Sequence, residues 1–456
     1  MERRFELRKG ELLADCQVHP AVFAGMMERL DQFAEPFAAR LRRPEQRAHT
    51  RMYLQGLLSD VERKNAEAIA YRHDEDRQGL QTFLGTAPWD HQPLLEELAC
   101  QVGTELGEPD GVIVFDPSAF PKKGRHSVAV ARQWCGRLGK VENCQVGIFM
   151  GYVSQSEHAL VDVRLYVPRE WTKDRRRRKE CGIPKELRYQ TRHEMVLDML
   201  KTSGRLLPHG WVAGDDEMGR PARFRRELDR SGERYLLAVP SNTTIRDLDA
   251  KLPSYNGRGR QPKQPFQQLR RWCQSLPKDA WTREEVRDAE KGPLVVEMVK
   301  RRVAAKIDRN VGDEETLVVI RTRDEEDAVK HDYYLSNAPV TTPDGEFARV
   351  AKAEHRIEEC LQRGKSEVGL ADYQVRTWIG WHHHITLSLM ATWFLVLESQ
   401  RGKKMDAGDY GSTNTQASCA AHASSLGLRC LGQHYPRVPT LAGSHRACTV
   451  LSPQST

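Results

Sequence analysis

Apolar residues recur at every third or fourth position through "PAVFAGMMERLDQFAEPFAARL" (20–41) and again through "HTRMYLQGLLSDV" (49–61). That spacing lines one face of an α-helix. Strand signals are few before about residue 104, so an all-α N-terminal domain is expected over 1–104. The turn-forming "GEPDG" at Gly107–Gly111 then changes the texture. Beyond it the pattern predicts strands at Val112–Asp116, Cys144–Ser154 and Ala159–Pro168, a helix from about Glu186 to Ser203, and a strand in "GWVAGD" (Gly210–Asp215). A helix over Ala222–Arg230 and a strand over Tyr235–Pro240 follow.

The link "QSEH" is short enough for a hairpin, whereas the later strands are separated by helices. Three strands, helix, strand, helix, strand is the order of a ribonuclease H-like sheet, so the expected class is α/β, a mixed sheet flanked by helices. The alternation then stops. "PLVVEMVKRRVAAKI", "TLVVIRTR" and "HDYYLSNAP" read as strands with charged turns, a β-rich insertion. Helical spacing returns in "EFARVAKAEHRIEECLQRGKSEVGL" and "WHHHITLSLMATWFLVLESQ". The expected division is 1–104 for the helical, DNA-binding N-terminal domain, 105–240 for the first part of the catalytic sheet, 241–338 for the insertion, 339–401 for the closing helices and 402–456 for an irregular tail.

The 456 residues carry a net charge of +7, concentrated in two runs, Arg169–His193 and Tyr255–Trp272. Basic patches in separate segments favour a polyanion as partner. The candidates for DNA contact are Arg175, Arg176, Arg177 and Arg178 in the first run, and Lys122 and Lys123 in "FPKKG". The ten cysteines include no C-x-x-C pair, which argues for reduced thiols rather than zinc or disulfides. The longest apolar run, Ile385–Leu397, is too short for a bilayer, which needs about 20 residues, and the start lacks an apolar signal core. A cytoplasmic, nucleoid-associated protein is expected.

Two predicted strands end on acids: Asp116 in "VIVFDPSAF" and Asp215 in "WVAGDDEMG". An Asp before Pro is an ordinary turn former, so Asp116 alone says little. In a ribonuclease H-like sheet, however, these strands are neighbours, and their carboxylates meet at one edge. Hard oxygen ligands suit Mg²⁺, for which Mn²⁺ can substitute. Two such ions about 3.5–4 Å apart activate an attacking water or 3′-hydroxyl and stabilise the leaving oxygen. The candidate third acid is Glu358, beside the apolar stripe of Ile357, Cys360 and Leu361; Lys365, seven residues on, shares its helical face and can reach a phosphate.

The blocks around these acids, "FDPSAFPKKGRHSVAVARQWCGRLGKVENCQVGIF", "GWVAGDDEMGRPARFRRELDRSGERYLLAVPSNT" and "HRIEECLQRGKSEVGLADYQVRTWIGWHHHITLSLMA", together resemble DDE transposases of bacterial insertion sequences, in the group whose ribonuclease H-like domain is interrupted by β-strands. The resemblance implies that Asp116, Asp215 and Glu358 are the catalytic, metal-binding triad. It also implies strand cleavage at transposon ends, joining of the freed 3′-hydroxyl to target DNA, and a homodimer on paired ends. Related chains carry Tyr-x2-Arg-x3-Glu-x6-Lys around the Glu. Here Glu358 and Lys365 are kept, but Ala351 and Glu354 stand where Tyr and Arg are expected. Ala129 stands where Gly is expected, and the tail "STNTQASCAAHASSLGLRCLG" resembles none of the family. These departures keep a second reading open: a catalytically impaired remnant that binds DNA without cutting it.

Trp272, in "LRRWCQ", is a candidate for stacking on an unpaired base, as in the insertions of similar transposases, against the commoner reading of a core Trp. His382, His383 and His384 cannot share one helix face, which favours a structural role or a DNA-backbone contact over a metal site.

Overall fold

The computed structural model describes residues 24–259, 261–289, 292–308, 310–323 and 329–409; the irregular tail expected over 402–456 lies almost wholly outside them. Among the described residues five helices come first: α1 (Met26–Ala39), α2 (Pro44–Leu57), α3 (Ala66–Arg72), α4 (Arg77–Gly85) and α5 (Gln92–Leu106). Their apolar faces, among them Leu30, Phe37, Leu54 and Leu98, are buried in the same hydrophobic core as the central sheet. Among the described residues no helix is long and apolar enough to cross a membrane.

The sheet begins with β1 (Val112–Pro121), β2 (Ala131–Cys135), β3 (Lys140–Val153) and β4 (His158–Tyr166). After α6 (Arg169–Lys173), α7 (Arg175–Glu180) and α8 (Arg192–Thr202) come β5 (Trp211–Gly214), α9 (Asp216–Gly219), α10 (Ala222–Arg230) and β6 (Tyr235–Ala238). β3 lies antiparallel between β4 and β1, β5 runs parallel to β1, and β6 runs parallel to β5. The spatial order β4–β3–β1–β5–β6 is the ribonuclease H-like arrangement. Val112–Phe115 and Trp211–Gly214 are buried without alternation, as strands covered on both faces must be.

The local differences from the sequence pattern have visible causes. α8 starts at Arg192 rather than near 186, because Thr191 and Glu194 close a capping box: the Glu194 amide donates to Thr191 Oγ1 (3.2 Å) and the Thr191 amide to Glu194 Oε2 (2.8 Å). The basic run holds a short helix, α7, whose start is capped by Asp174 accepting from the Arg177 amide at 2.9 Å.

The segment after β6 is built from β7 (Thr244–Asp247), β8 (Phe266–Gln268), α11 (Leu269–Gln274), β9 (Thr282–Ala289), β10 (Gly292–Ile307), β11 (Asn310–Arg323) and β12 (Val329–Ser336). It has its own small core, including Ile245, Leu269, Trp272 and Val303. It is nevertheless continuous with the central sheet, because β12 pairs with β6 through Tyr334↔Ala238, giving one sheet of 12 strands.

The chain then enters α12 (Asp344–Glu367) and α13 (Trp378–Asp409). α12 lies across β1, β3, β4 and β5, and α13 packs on β4 and on α2, α4 and α5. Close approach of α12 depends on Gly151 in β3: a Cβ there would stand 2.3 Å from Ile357 Cδ1. Ala129 is held at φ 57°, in the left-handed region that glycine prefers, which is the physical basis for expecting Gly at that position.

Candidate active site

β1 and β5 are in parallel register through Phe115↔Gly214; β5 ends there, whereas β1 continues to Pro121, so Asp116 lies within β1 opposite Phe149 rather than at its expected end, beside Asp215, the residue that follows β5. Adjacent strands lie about 4.8 Å apart, which brings the two carboxyl groups to one edge of the sheet. Asp215 is fixed further by its local role: its Oδ1 accepts the Met218 amide at 3.0 Å and caps α9.

The three acids that open this turn have different fates. Asp216 pairs with Arg220 at 3.0 Å, and Glu217 is held by Arg192 Nη1 at 2.6 Å. Among the described residues Asp215 has no cationic partner. Burial pushes its carboxyl up to about 7, with the Met218 amide opposing the shift and the Asp116 charge adding to it. Asp116 is pushed up to about 6, first by burial and then by the charge of Glu358, with Lys365 opposing. Both shifts come first from burial, which disfavours the charged form of a carboxyl.

Glu358 reaches this edge from α12. Ile357, Cys360 and Leu361 are buried against the sheet, and Glu358 stays exposed, 3.7 Å from His355 Nδ1. Lys365, two turns on, donates from Nζ to Ser118 Oγ at 2.7 Å, which holds its ammonium over β1 near Asp116. A cleft of about 720 Å³ opens between this edge and the insertion, lined by Asp215, Glu358, Glu354, Asp332, Tyr334 and Lys330 among others. Among the described residues no three acid, histidine or cysteine side chains stand in a grouping that could hold a metal ion.

Glu354 is the residue the sequence reading did not place in the site. It is half-buried in the wall of this cleft, one turn before Glu358, and burial followed by the charges of Asp215 and Glu358 pushes its carboxyl up to about 8. Its substitution for an expected Arg was the available signal, but that signal spoke only of a lost cation.

The candidate DNA contacts separate. Lys123, Arg175 and Arg176 are exposed, although Arg176 pairs with Glu180 at 2.9 Å. Lys122 lies 3.4 Å over the Tyr373 ring, and burial lowers its amine to about 8. Two arginines make contacts within the fold. The Arg177 guanidinium sits 3.8 Å over Trp171 and donates to the Arg125 carbonyl, and Arg178 donates to the carbonyls of Pro184 and Leu187. Trp272 is likewise held within the fold. It is 2% exposed in the insertion's core, with Nε1 donating to Asp247 Oδ2 at 2.9 Å, so no base can stack on it in this packing. The three histidines are buried and structural: His382 Nδ1 contacts the Trp378 carbonyl, His383 bridges the Leu84 and Trp89 carbonyls, and His384 meets the Tyr53 hydroxyl at 2.8 Å.

The result is a ribonuclease H-like sheet with one acid within β1, a second just past the end of the parallel β5, and a further acid on the helix that crosses them. The chain belongs to the DDE superfamily endonuclease family, whose model matches residues 36–293, more than half of its length. That span contains Asp116 and Asp215; Glu358 lies beyond it. A probable transposase for insertion sequence element IS701 from Microchaete diplosiphon is 30% identical over 199 residues, which take in 42% of this chain and 49% of that protein. The chain thus spans about half the length of this curated relative. A solved piggyBac transposase synaptic complex with hairpin DNA aligns over 92% of this chain and 80% of its own at a TM-score of 0.38 and 8% identity.

Proposed function

We propose that this chain is an insertion-sequence transposase that cleaves phosphodiester bonds at the ends of its element and joins the freed 3′-hydroxyl to target DNA. The observation that carries the reading is the register of β1 and β5, which sets Asp116 and Asp215 side by side at the sheet edge beneath Glu358. The donor set fits a hard divalent cation by its chemistry: every candidate ligand is a carboxylate, and the two on the sheet are held in surroundings that disfavour their charge. Asp116, Asp215 and Glu358 would hold Mg²⁺ or Mn²⁺, which when bound polarises the phosphate and makes the attacking water or hydroxyl more acidic.

The chain's own residues supply the rest. Asp116, held in the β1–β3 ladder, and Asp215, held as the cap of α9, keep their carboxyl groups in fixed places on the sheet. Lys365, anchored on Ser118, offers its ammonium to a phosphate oxygen beside the acids. Lys330, on the insertion side of the cleft, and the exposed Lys123, Arg175 and Arg176 meet the DNA backbone farther out. The N-terminal helices recognise the element's ends, and two chains assemble on paired ends.

The test is cleavage of supercoiled DNA carrying the element's ends, with Mg²⁺ or Mn²⁺, comparing the intact chain with Asp215→Ala. Nicking at the ends that disappears in the variant is the expected result. Binding without nicking by the intact chain refutes the enzymatic reading and leaves a DNA-binding remnant. Affinity for the ends should fall steeply with salt, because phosphate contacts release counterions.

A further inference from the structure

We propose that the β2–β3 hairpin is a DNA arm, in which Trp134, with Val141 and Leu138, forms an apolar wedge that enters the minor groove of the element's end about eight base pairs from the reacting phosphate. This rests on the reading of Asp116 as part of a transposase's reaction centre.

The hairpin overhangs the sheet. β1 ends at Pro121, opposite Cys144, and among the described residues Lys140–Asn143 of β3 pair only with β2. On this overhang Trp134 and its cross-strand partner Val141 are 60% and 50% exposed, and Leu138, in the turn between them, is 44% exposed. Single exposed apolar side chains are ordinary, whereas three gathered on one hairpin mark an interaction site.

Register places this wedge relative to the acids. Asp116 pairs with Phe149 and Trp134 with Val141, in ladders without a bulge, and the even spacing from Phe149 to Val141 puts both on one face of the sheet. At about 3.3 Å per residue they stand about 26 Å apart, the rise of about eight base pairs. Tyr373, donating to Gln145 at 2.8 Å, covers the face between them, so a partner that meets both must bridge that stretch. The hairpin is held at its base on both faces. Asn143 Nδ2 donates to the carbonyls of Lys122 and Gly124, and Gln133 Oε1 accepts at 3.4 Å from Arg192, which grips Glu217, two residues past Asp215.

Charge selects the partner. Arg132 stands exposed beside Trp134, and Lys123 and Arg125 are exposed in the loop that Asn143 holds. The hairpin's one acid, Glu142, lies on the opposite face and pairs with Lys140 at 3.3 Å. Cations flanking an apolar wedge match the phosphates that border a groove.

The test uses the full chain and a duplex of the element's terminal sequence, with 2-aminopurine placed in turn along it; its fluorescence rises where a base loses its stacking. The native chain should brighten the probe near about the eighth pair. Trp134→Ala should abolish that rise and weaken binding at least about fivefold, the low end for one aromatic–base contact, at an unchanged salt slope. Trp134→Phe should keep most of both, and Arg132→Ala should lower the salt slope by about one. Trp134 is exposed, so the Tm of the Ala variant should be native. A Trp134→Ala chain that binds within twofold and brightens the probe as the native chain does overturns the proposal; the transposase reading stands if Asp215→Ala still abolishes nicking. Nicking that survives Asp215→Ala removes the reaction centre from this edge and the proposal with it. Altered self-association of Trp134→Ala in analytical ultracentrifugation, with the native probe pattern, assigns the patch to a second copy of the chain and likewise overturns it.

Discussion

Arg225→Met should unfasten the insertion from the central sheet. Arg225 lies on α10, just after Asp215, and Glu315 lies on β11 of the insertion; their side chains are 4% and 7% exposed. The pair is bidentate, Nε to Oε1 at 2.7 Å and Nη2 to Oε2 at 3.1 Å. The Tyr235 hydroxyl donates to the same Oε1 at 2.7 Å, and Arg225 Nη1 donates to the Gly219 carbonyl. Removing the guanidinium leaves a buried carboxylate with one neutral donor, and breaking one side of such a pair costs about 3–5 kcal/mol. Removing both charges leaves no uncompensated buried charge, although the Tyr235 hydroxyl and the Gly219 carbonyl lose their partners, so Arg225→Met with Glu315→Leu should recover most of that loss, because apolar replacements of buried pairs are often neutral.

The assay is urea unfolding by tryptophan fluorescence, paired with limited proteolysis of the insertion. The two report different units, since a chain with two hydrophobic clusters need not unfold in one step. The single variant should expose sites in the insertion at lower urea than the rest of the chain. A loss below about 1 kcal/mol in the single variant, or a double variant as unstable as the single, refutes the reasoning, because each means that Glu315 finds water or another partner once Arg225 is gone.

Burial holds His382, His383 and His384 at about 3, 4 and 3, below the ordinary value near 6.5, so the unfolded chain takes up protons first; stability should fall as pH drops below about 6.5, and a Tm that is flat between pH 7.5 and 5 would contradict this. Asp116, Asp215 and Glu354 are shifted the other way, up to about 6, 7 and 8, so their contribution is present below about pH 4 and is lost as pH rises through those values. A cation relieves that loss, so the rise in Tm on adding Mg²⁺ should be larger at pH 8 than at pH 6, and equal rises would count against a cation at these acids. Gly151→Ala should cost about 1–3 kcal/mol by overpacking against Ile357, and should weaken Mn²⁺ by shifting α12, both measurable on one purified variant; native stability and binding would show that the helix has room to give.

The strands that carry the sheet acids were legible because they are covered on both faces. Val112–Phe115 and Trp211–Gly214 read as unbroken apolar runs, and the acids that follow them stood out, although β1 runs on past Asp116 to Pro121 through its pairing with β3. Glu358 was legible because Ile357, Cys360 and Leu361 fix the buried face of α12. Local pattern could not sort identical neighbours. Arg175 through Arg178 are one letter repeated, yet the Trp171 ring and the Pro184 and Leu187 carbonyls, set by the fold, draw in only two of them. Trp272 depended on Asp247, 25 residues earlier, for the hydrogen bond that keeps it inside. β2 escaped notice because much of "ARQWC" faces out, Trp134 at 60% exposure among it, and its order comes from pairing with β3. The joining of the insertion to the central sheet rests on β12 finding β6 across almost a hundred residues, a non-local pairing that no window of sequence contains.

That pairing also gives the insertion a hold on α12. After β12 the chain turns through Thr342 into α12, and Lys300 of β10 grips the turn: its Nζ donates to the Thr342 carbonyl at 2.6 Å and pairs with Asp344 at 2.5 Å. Lys300 also lies 5.7 Å from the Phe347 ring, which packs edge-on against Trp211 of β5. The start of α12 is therefore set jointly by the insertion and by the strand that ends on Asp215. Asp116 is fixed by the β1–β3 ladder and Asp215 by its place after β5 and its cap on α9, whereas Glu358 and Glu354 ride on a helix whose first turn the insertion holds. Any motion of the insertion on binding DNA would reach the site through the helix-borne acids and leave the sheet-borne pair in place.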